Sequence, residues 1–392
     1  MAVRTARRVR TAILGAVLAG AVTATAFVAP ASARQARPTT GAHPAGHGAT
    51  QQAMDATAAG GVPGVIGVAE DGRGRWTGEA GVADTRTGRE RQAQDTFRVG
   101  SLTKTFISTV LLQLEAEGKL GLDDSVDTWL PGLVRGNGND GRAITVRQLL
   151  NHTSGIYDYT ADADFQKLVF GPGFFQHRYD TWTPERLVRT ALAHQPDFAP
   201  GTRWKYSNTN YILAGMVIQK VTGRSYAQEA ERRILRPLNL RSTSFPGTDA
   251  RMPKPSGRAY STLGGSPDQV YDVTEFNPSV AGSAGEVVSN SLDLNRFYRA
   301  LLGGKLLPPR QLAEMTTTVP SDEIPHSSYG LGLMKLTLSC GTEVWGHTGG
   351  IHGSSSEAVV TKDAGHALAF NFNGDWTGDP LTITEAEFCG TK

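Results

Sequence analysis

Ser101 and Lys104 stand three residues apart at the start of an apolar run, within the stretch from Phe97 to Leu120. On a helix that spacing brings both side chains to one face. A serine hydroxyl becomes a strong nucleophile when a base takes its proton. A desolvated lysine can be that base, or can hold another base in its ionised form. Gly100 lets other backbone approach closely, and a serine at a helix N-terminus sits where N–H groups suit a developing oxyanion. No other lysine in the chain has a serine three residues before it. The pair also reads as a helix cap followed by a solvated lysine, so alone it does not establish catalysis.

Two further constellations offer complementary chemistry. Tyr206, Ser207 and Asn208 lie just ahead of an apolar helix. Tyr206 could take the serine proton if a cation lowers its pKa, and Asn208 could hold the lysine and a substrate amide. Ser207, Asn208 and Thr209 are equally natural cap residues. Later, a strand ends in His347-Thr348-Gly349-Gly350. Glycines there let a substrate backbone lie along the strand edge. The N–H of Gly350 could be a second oxyanion donor beside that of Ser101, and His347 and Thr348 could bind an acyl group or carboxylate. A Gly-rich hairpin turn is the alternative. The G-x-S-x-G elbow of other serine hydrolases is absent.

These groups need elements to position them. Strands are expected at Val65 to Glu70 and Arg75 to Val82, after a short helix from Gln51 to Ala59. The helix opening at Ser101 carries Phe106, Val110, Leu111 and Leu114 at helical spacing and stops at Gly118. Helices capped by Thr145 and by Thr183-Pro184 follow, then Thr209 to Val221, Ser225 to Leu235, Ser291 to Leu302 and one from Pro309. The last segment returns to strands, at Tyr329 to Leu338, Thr342 to Gly346, Ser355 to Thr361 and Ala367 to Phe372, and closes with a helix from Pro380 to Phe388. This order predicts an α/β (α+β) fold: one antiparallel sheet built from both chain ends, flanked by helices, with an all-helical insert. The expected boundaries are 51–115 with 290–392 for the sheet domain and 116–289 for the helical domain. The default site lies between them.

Composition narrows the function classes. An apolar fraction of 39%, a charged fraction of 19% and a formal net charge of +2 are ordinary for a soluble globular chain. They give no support for nucleic-acid binding. No zinc-type Cys/His spacing or H-E-x-x-H is present, so no metal site is expected. Residues 1–33 read as a signal peptide: Arg4, Arg7, Arg8 and Arg10, then an apolar run, then Ala31-Ser32-Ala33. Residues 34–50 read as a flexible leader. Arg7-Arg8 leaves open a twin-arginine route beside the general one. A secreted, extracellular protein without a membrane anchor is expected, and a monomer. Export favours a disulfide between Cys340 and Cys389 over two buried thiols.

Taken together, the order Ser-x-x-Lys, Tyr-x-Asn, His-Thr-Gly resembles the penicillin-recognising serine hydrolases of β-lactamase/transpeptidase fold, in the class C β-lactamase branch. The likeness is greatest to the secreted D-alanyl-D-alanine carboxypeptidases. It extends from about Gln51 to the C-terminus through "FRVGSLTK", "GIYDYT", "YSNTNY", "SAGEVVS", "YGLGL", "WGHTG" and the cysteines of "SCG" and "FCG". The resemblance implies that Ser101 attacks a carbonyl to form an acyl-enzyme, that Tyr206 with Lys104 moves the proton, and that Asn208 orients Lys104. It implies that His347, Thr348 and Gly349 line the substrate pocket and that the Ser101 and Gly350 N–H groups hold the oxyanion. Such a site needs no metal or cofactor.

The same resemblance implies a small peptide or ester substrate, such as a cell-wall stem peptide, with β-lactams as acylating inhibitors. Three positions depart from the carboxypeptidase pattern. Met334 stands where those relatives place an arginine for the terminal carboxylate, Gly350 where they have threonine, and Val280 where they have a pocket tryptophan. Strand alternation turns Lys335 to the other face. D-alanyl-D-alanine carboxypeptidase is the first expectation. An esterase, a β-lactamase or a D-amino-acid amidase is the second, and a non-catalytic binding protein the remote third. His152 is read as a turn histidine.

Overall fold

The computed structural model describes residues 46–321 and 326–390. The signal peptide expected at residues 1–33 and the leader up to residue 45 lie outside these residues. The helix expected from Gln51 begins earlier, as α1 (Gly48–Ala59). The reason is a long-range anchor that local sequence does not reveal. Thr50 donates to Glu387 at 2.6 Å, His47 reaches the same carboxylate, and the His47 ring stacks on Trp76 with centroids 5.0 Å apart.

β1 (Gly64–Asp71) and β2 (Gly74–Asp84) form a hairpin, extended by β3 (Arg89–Glu90). The chain then makes α2 (Thr103–Ala116), α3 (Asn208–Thr222) and α4 (Ser291–Leu302) among shorter helices. It returns through β4 (Val319–Pro320), β5 (Ser327–Tyr329), β6 (Met334–Thr337), β7 (Glu343–Ile351), β8 (Ser354–Thr361) and β9 (Ala367–Phe372), and ends in α5 (Pro380–Cys389). These strands make one antiparallel sheet in the order β4-β5-β6-β7-β8-β9-β1-β2-β3, so strands from the two chain ends meet at β9–β1. The fold is the expected mixed one, a large antiparallel sheet flanked by helices.

Both sheet faces are buried, which explains the nearly unbroken apolar runs of β1 and β9. Along β9, Leu368, Phe370 and Phe372 turn to one core with Met54 and Ile383. Ala367 and Ala369 turn to the other core, with Leu294 and Phe297 of α4. α2 has little exposed surface from Thr103 to Leu112, so its amphipathic pattern is weak. It packs against α3, and Phe106 stacks on Phe297 at 3.8 Å.

One expected strand is two. Tyr329 to Leu338 reads as continuous, but β5 and β6 are antiparallel neighbours separated by a turn at Gly330–Leu333. Gly332 has φ +70°, and a Cβ on Gly330 would lie 2.1 Å from the Met315 carbonyl oxygen. The glycines of "YGLGL" mark that turn. The helix expected from Ser225 to Leu235 divides too, into Tyr226–Ala230, a π-turn at Glu231–Leu235 and a last turn through Leu238. Thr145 and Thr183 cap their helices as read from sequence. A disulfide joins Cys340, in the β6–β7 turn, to Cys389 at the end of α5.

Candidate active site

Ser101 lies in a 3-10 turn, Gly100–Leu102, which leads directly into α2. Its backbone is pressed against β7. Gly100 has φ +58°, and a Cβ there would come within 2.9 Å of the Gly350 nitrogen. A Cβ on Gly349 would meet the Val99 carbonyl oxygen at 2.0 Å and the Ser101 nitrogen at 2.9 Å. Gly349 thus serves the close passage of β7 past the serine turn, while Gly350 is exposed on the cleft with nothing near its Cβ position. Facing backbone stretches therefore carry the Ser101 and Gly350 N–H groups, the arrangement an oxyanion needs.

Lys104 is fully buried, and its nitrogen has three neighbours. Ser101 Oγ is at 2.9 Å, Asn208 Oδ1 at 2.8 Å and the Ala284 carbonyl oxygen at 2.7 Å. The Asn208 amide is oriented by its other end, where Nδ2 donates to Asp158 Oδ2 at 2.9 Å and to Thr160 Oγ1 at 3.3 Å. Two of the three lysine neighbours can therefore only accept. A neutral amine has two N–H bonds and one lone pair. With both N–H bonds spent on the two carbonyl oxygens, the lone pair faces the Ser101 hydroxyl. Burial brings that neutral form within reach near neutral pH, lowering the Lys104 pKa to about 7 against the opposing pull of Asp158.

Tyr206 lies beside this pair, with Lys104 Nζ 4.8 Å from its ring centre. Its hydroxyl is buried without a hydrogen-bond partner of good geometry among the described residues. Burial holds it well above the usual phenol range, although nearby Ser101 favours the ionised form. At rest Tyr206 is thus a phenol, suited to relay or donate a proton, and Lys104 is the group poised to take one from Ser101. Sequence alone left open whether Lys104 is that base or holds another in its ionised form.

His347, on β7, is buried, and burial, reinforced by Lys104 whenever that amine is protonated, lowers its pKa to about 3. Its Nδ1 faces the Thr348 carbonyl oxygen and so carries the proton, which leaves Nε2 to accept from Tyr329 Oη at 2.8 Å. His152 completes the chain. Its Nδ1 accepts from the Ser207 N–H at 3.2 Å, so Nε2 carries the proton and points to Tyr329 Oη at 3.3 Å. His152 does sit in a turn, at φ +61°, but it is fully buried and its ring lies 4.2 Å from that of Tyr206. It supports Tyr206 from behind and does not reach Ser101.

The structure thus brings Ser101, Lys104, Tyr206, Asn208, His347, Thr348, Gly349 and Gly350 around one cleft. Asp158, Tyr329 and His152 join them, and sequence reasoning gave none of these a role in the site. Asp158 and Tyr329 lie in the quoted motifs "GIYDYT" and "YGLGL", and His152 in "NHTSG", but their partners are distant in sequence. The chamber around Ser101 has a volume of about 280 Å³ and is walled by Trp204, Tyr206, Tyr329, Met334 and His347. Thr348 Oγ1 points toward Met334 Sδ, 3.9 Å away. Lys335 points away and pairs with Glu343 at 2.9 Å. Among the described residues no group of three or more His, Cys, Asp or Glu side chains is placed to hold a metal ion.

Comparison with known proteins finds a matching family and several relatives. The Beta-lactamase family matches residues 31–386. A D-stereospecific amidohydrolase from Streptomyces sp. is 63% identical, over 88% of this chain and 99% of that one, with a TM-score of 0.84. The D-amino acid amidase from Ochrobactrum anthropi SV3, complexed with L-phenylalanine amide, is 30% identical over 86% of this chain and 95% of that one, with a TM-score of 0.74. Penicillin-binding protein 4* of Bacillus subtilis (strain 168) is 27% identical over 79% of this chain and 68% of its own length. Across five of the curated relatives it matches, the chain spans between 34% and 76% of their length.

Proposed function

The chain belongs to the beta-lactamase family of serine hydrolases, and on that premise we propose that it is an amidohydrolase cleaving amides of D-amino acids. The observation that carries this reading is the neutral chamber beside Ser101. Met334 and Thr348 occupy the side where a terminal carboxylate would need a cation. No arginine lines that chamber among the described residues, and Lys104 is committed to Ser101 and two carbonyl oxygens. A neutral amide fits such a surface better than a free carboxylate, which would be desolvated there without a charged partner. Similarity to the D-stereospecific amidohydrolase and to the D-amino acid amidase supports the D configuration.

The positions of the groups support the following reaction. The Ser101 hydroxyl gives its proton to Lys104 as Oγ bonds to the amide carbon. The Ser101 and Gly350 N–H groups hold the oxyanion. As the C–N bond breaks, the lysine ammonium returns its proton, relayed by the Tyr206 hydroxyl, to the leaving nitrogen. An ester on Ser101 and a free amine result. Water then attacks the ester by the same proton route in reverse, releasing the acid and the serine.

The test is kcat/KM for D-phenylalanine amide, L-phenylalanine amide and a peptide ending in D-alanyl-D-alanine. The D-amide is expected to exceed both by about a hundredfold, the discrimination that a few kcal/mol of transition-state binding supplies. Preference for the peptide would support a carboxypeptidase instead, the reading favoured by the penicillin-binding relatives. We further propose export of the mature chain, supported by the N-terminal residue pattern and by the disulfide.

A further inference from the structure

The cleft at Ser101 has two arms that meet at Gly350. One, of about 770 Å³, runs past Asn208, Tyr159 and Val280 to Phe170 and His352. The other starts in the chamber of Tyr206 and His347, crosses Met334 and Thr348, and opens into a cavity of about 700 Å³ between the β6–β7 hairpin and α5. Tyr206 lines the second arm and not the first. In the mechanism above Tyr206 delivers the proton to the leaving nitrogen, so the amine half of the substrate lies along the second arm and the acyl half along the first.

We propose that the cavity between the β6–β7 hairpin and α5 is a subsite for the amine half of extended amides, taking an apolar chain that ends neutral or positively charged and rejecting one that ends in carboxylate. The inference rests on the amidohydrolase reading, since that reading supplies the direction of the leaving group.

The walls carry the selectivity. Met334, Leu336, Leu338 and Leu381 supply apolar surface. Glu357, Asp379 and Glu385 supply acid, and among the described residues the basic side chain on the lining is that of His326, exposed at the rim. The Glu385 carboxylate accepts from the Ser339 N–H at 2.8 Å and from Ser339 Oγ at 2.7 Å, which clamps the hairpin to α5. The disulfide at the neighbouring Cys340 fixes the same junction. Glu357 is buried on β8 and accepts from Thr384 at 2.7 Å, and burial raises its pKa to about 7. The cavity is therefore a held shape rather than a gap between mobile parts. A carboxylate entering it would be desolvated beside Asp379 and Glu385 without a counter-cation, while an alkylammonium would be attracted.

The experiment compares three amides of D-phenylalanine, made with hexylamine, with hexamethylenediamine and with aminocaproic acid. They end in methyl, ammonium and carboxylate. The ammonium-to-carboxylate ratio of kcat/KM is expected to be at least about tenfold, what one charge contact near a protein surface provides. Leu381→Arg puts a cation on the lining at a half-exposed position, and should lower the ratio about fivefold or more. A ratio near one, or one that Leu381→Arg leaves unchanged, overturns the subsite. D-phenylalanine amide itself has no chain to place there, so its turnover tests the amidohydrolase reading separately. Should that reading fail, saturation-transfer NMR with hexylammonium and hexanoate still decides. Hexylammonium contact that Leu381→Arg weakens supports the subsite, and equal contact in both proteins overturns it.

Discussion

Tyr329 donates its hydroxyl proton to His347 Nε2 at 2.8 Å and stands between that ring and His152. All three groups are buried and neutral, and every proton in the chain has one direction. The chain ends on the Thr348 carbonyl, next to the strand edge that offers the Gly350 N–H. Tyr329 is therefore a positioning residue for β7, several bonds away from the reacting atoms.

Tyr329→Phe leaves two buried ring nitrogens without their partner. Each unsatisfied group costs about 1–3 kcal/mol. The variant is expected to melt several degrees lower and to lose activity mainly in kcat, with the pH profile kept. Thermal melts and steady-state kinetics check both. Unchanged kcat would remove the positioning role.

The same histidines set the acid limit. Burial lowers both His152 and His347, the latter to about 3. An unfolded histidine takes a proton near 6.5. Below that value the unfolded state binds more protons than the folded one, so stability falls as pH falls, from about 6.5 down toward 3. Melting temperature measured from pH 7 to pH 4 should decline, and His347→Asn should flatten part of the decline. A flat profile in the parent protein would contradict the neutral pair.

Lys104 governs the pH dependence of acylation. Its neutral form is required, and that form grows as pH rises through about 7. With p-nitrophenyl butyrate, which has no group titrating there, kcat/KM should climb through the same pH. Lys104→Arg keeps the charge but cannot deprotonate, and is expected to lose about a thousandfold or more, in the range of a general base. A pH-independent rate would assign the proton transfer elsewhere.

Much of this site was legible in the sequence, and what was hidden has a common cause. Ser101 and Lys104 are neighbours on one helical turn, so local spacing exposes them. Asn208 and His347 came from motif order. The role of Asp158 depends on Asn208, 50 residues on, and that of His152 on Tyr329, 177 residues on. Pairings of that range leave no periodic trace. The early start of α1 has the same origin, in Thr50 and Glu387. The false continuity of Tyr329 to Leu338 differs: its glycines were visible, but apolar character outweighed them.

The disulfide closes a loop of 49 residues of sequence separation. The chain-entropy model assigns such a loop about 4 kcal/mol. Cys340→Ser with Cys389→Ser is expected to lower the melting temperature accordingly while leaving acylation by p-nitrophenyl butyrate largely intact, because the bond lies at the far end of the β6–β7 hairpin. Loss of that acylation in a folded double variant would show that the hairpin shapes the serine chamber as well.

The most direct measurement is intact mass after mixing with D-phenylalanine methyl ester and quenching in acid within the first turnovers. A phenylalanyl adduct is expected on the parent protein, mapped to the peptide containing Ser101, and absent from Ser101→Ala. An adduct that persists in Ser101→Ala, or full turnover by that variant, would contradict an acyl-enzyme on Ser101.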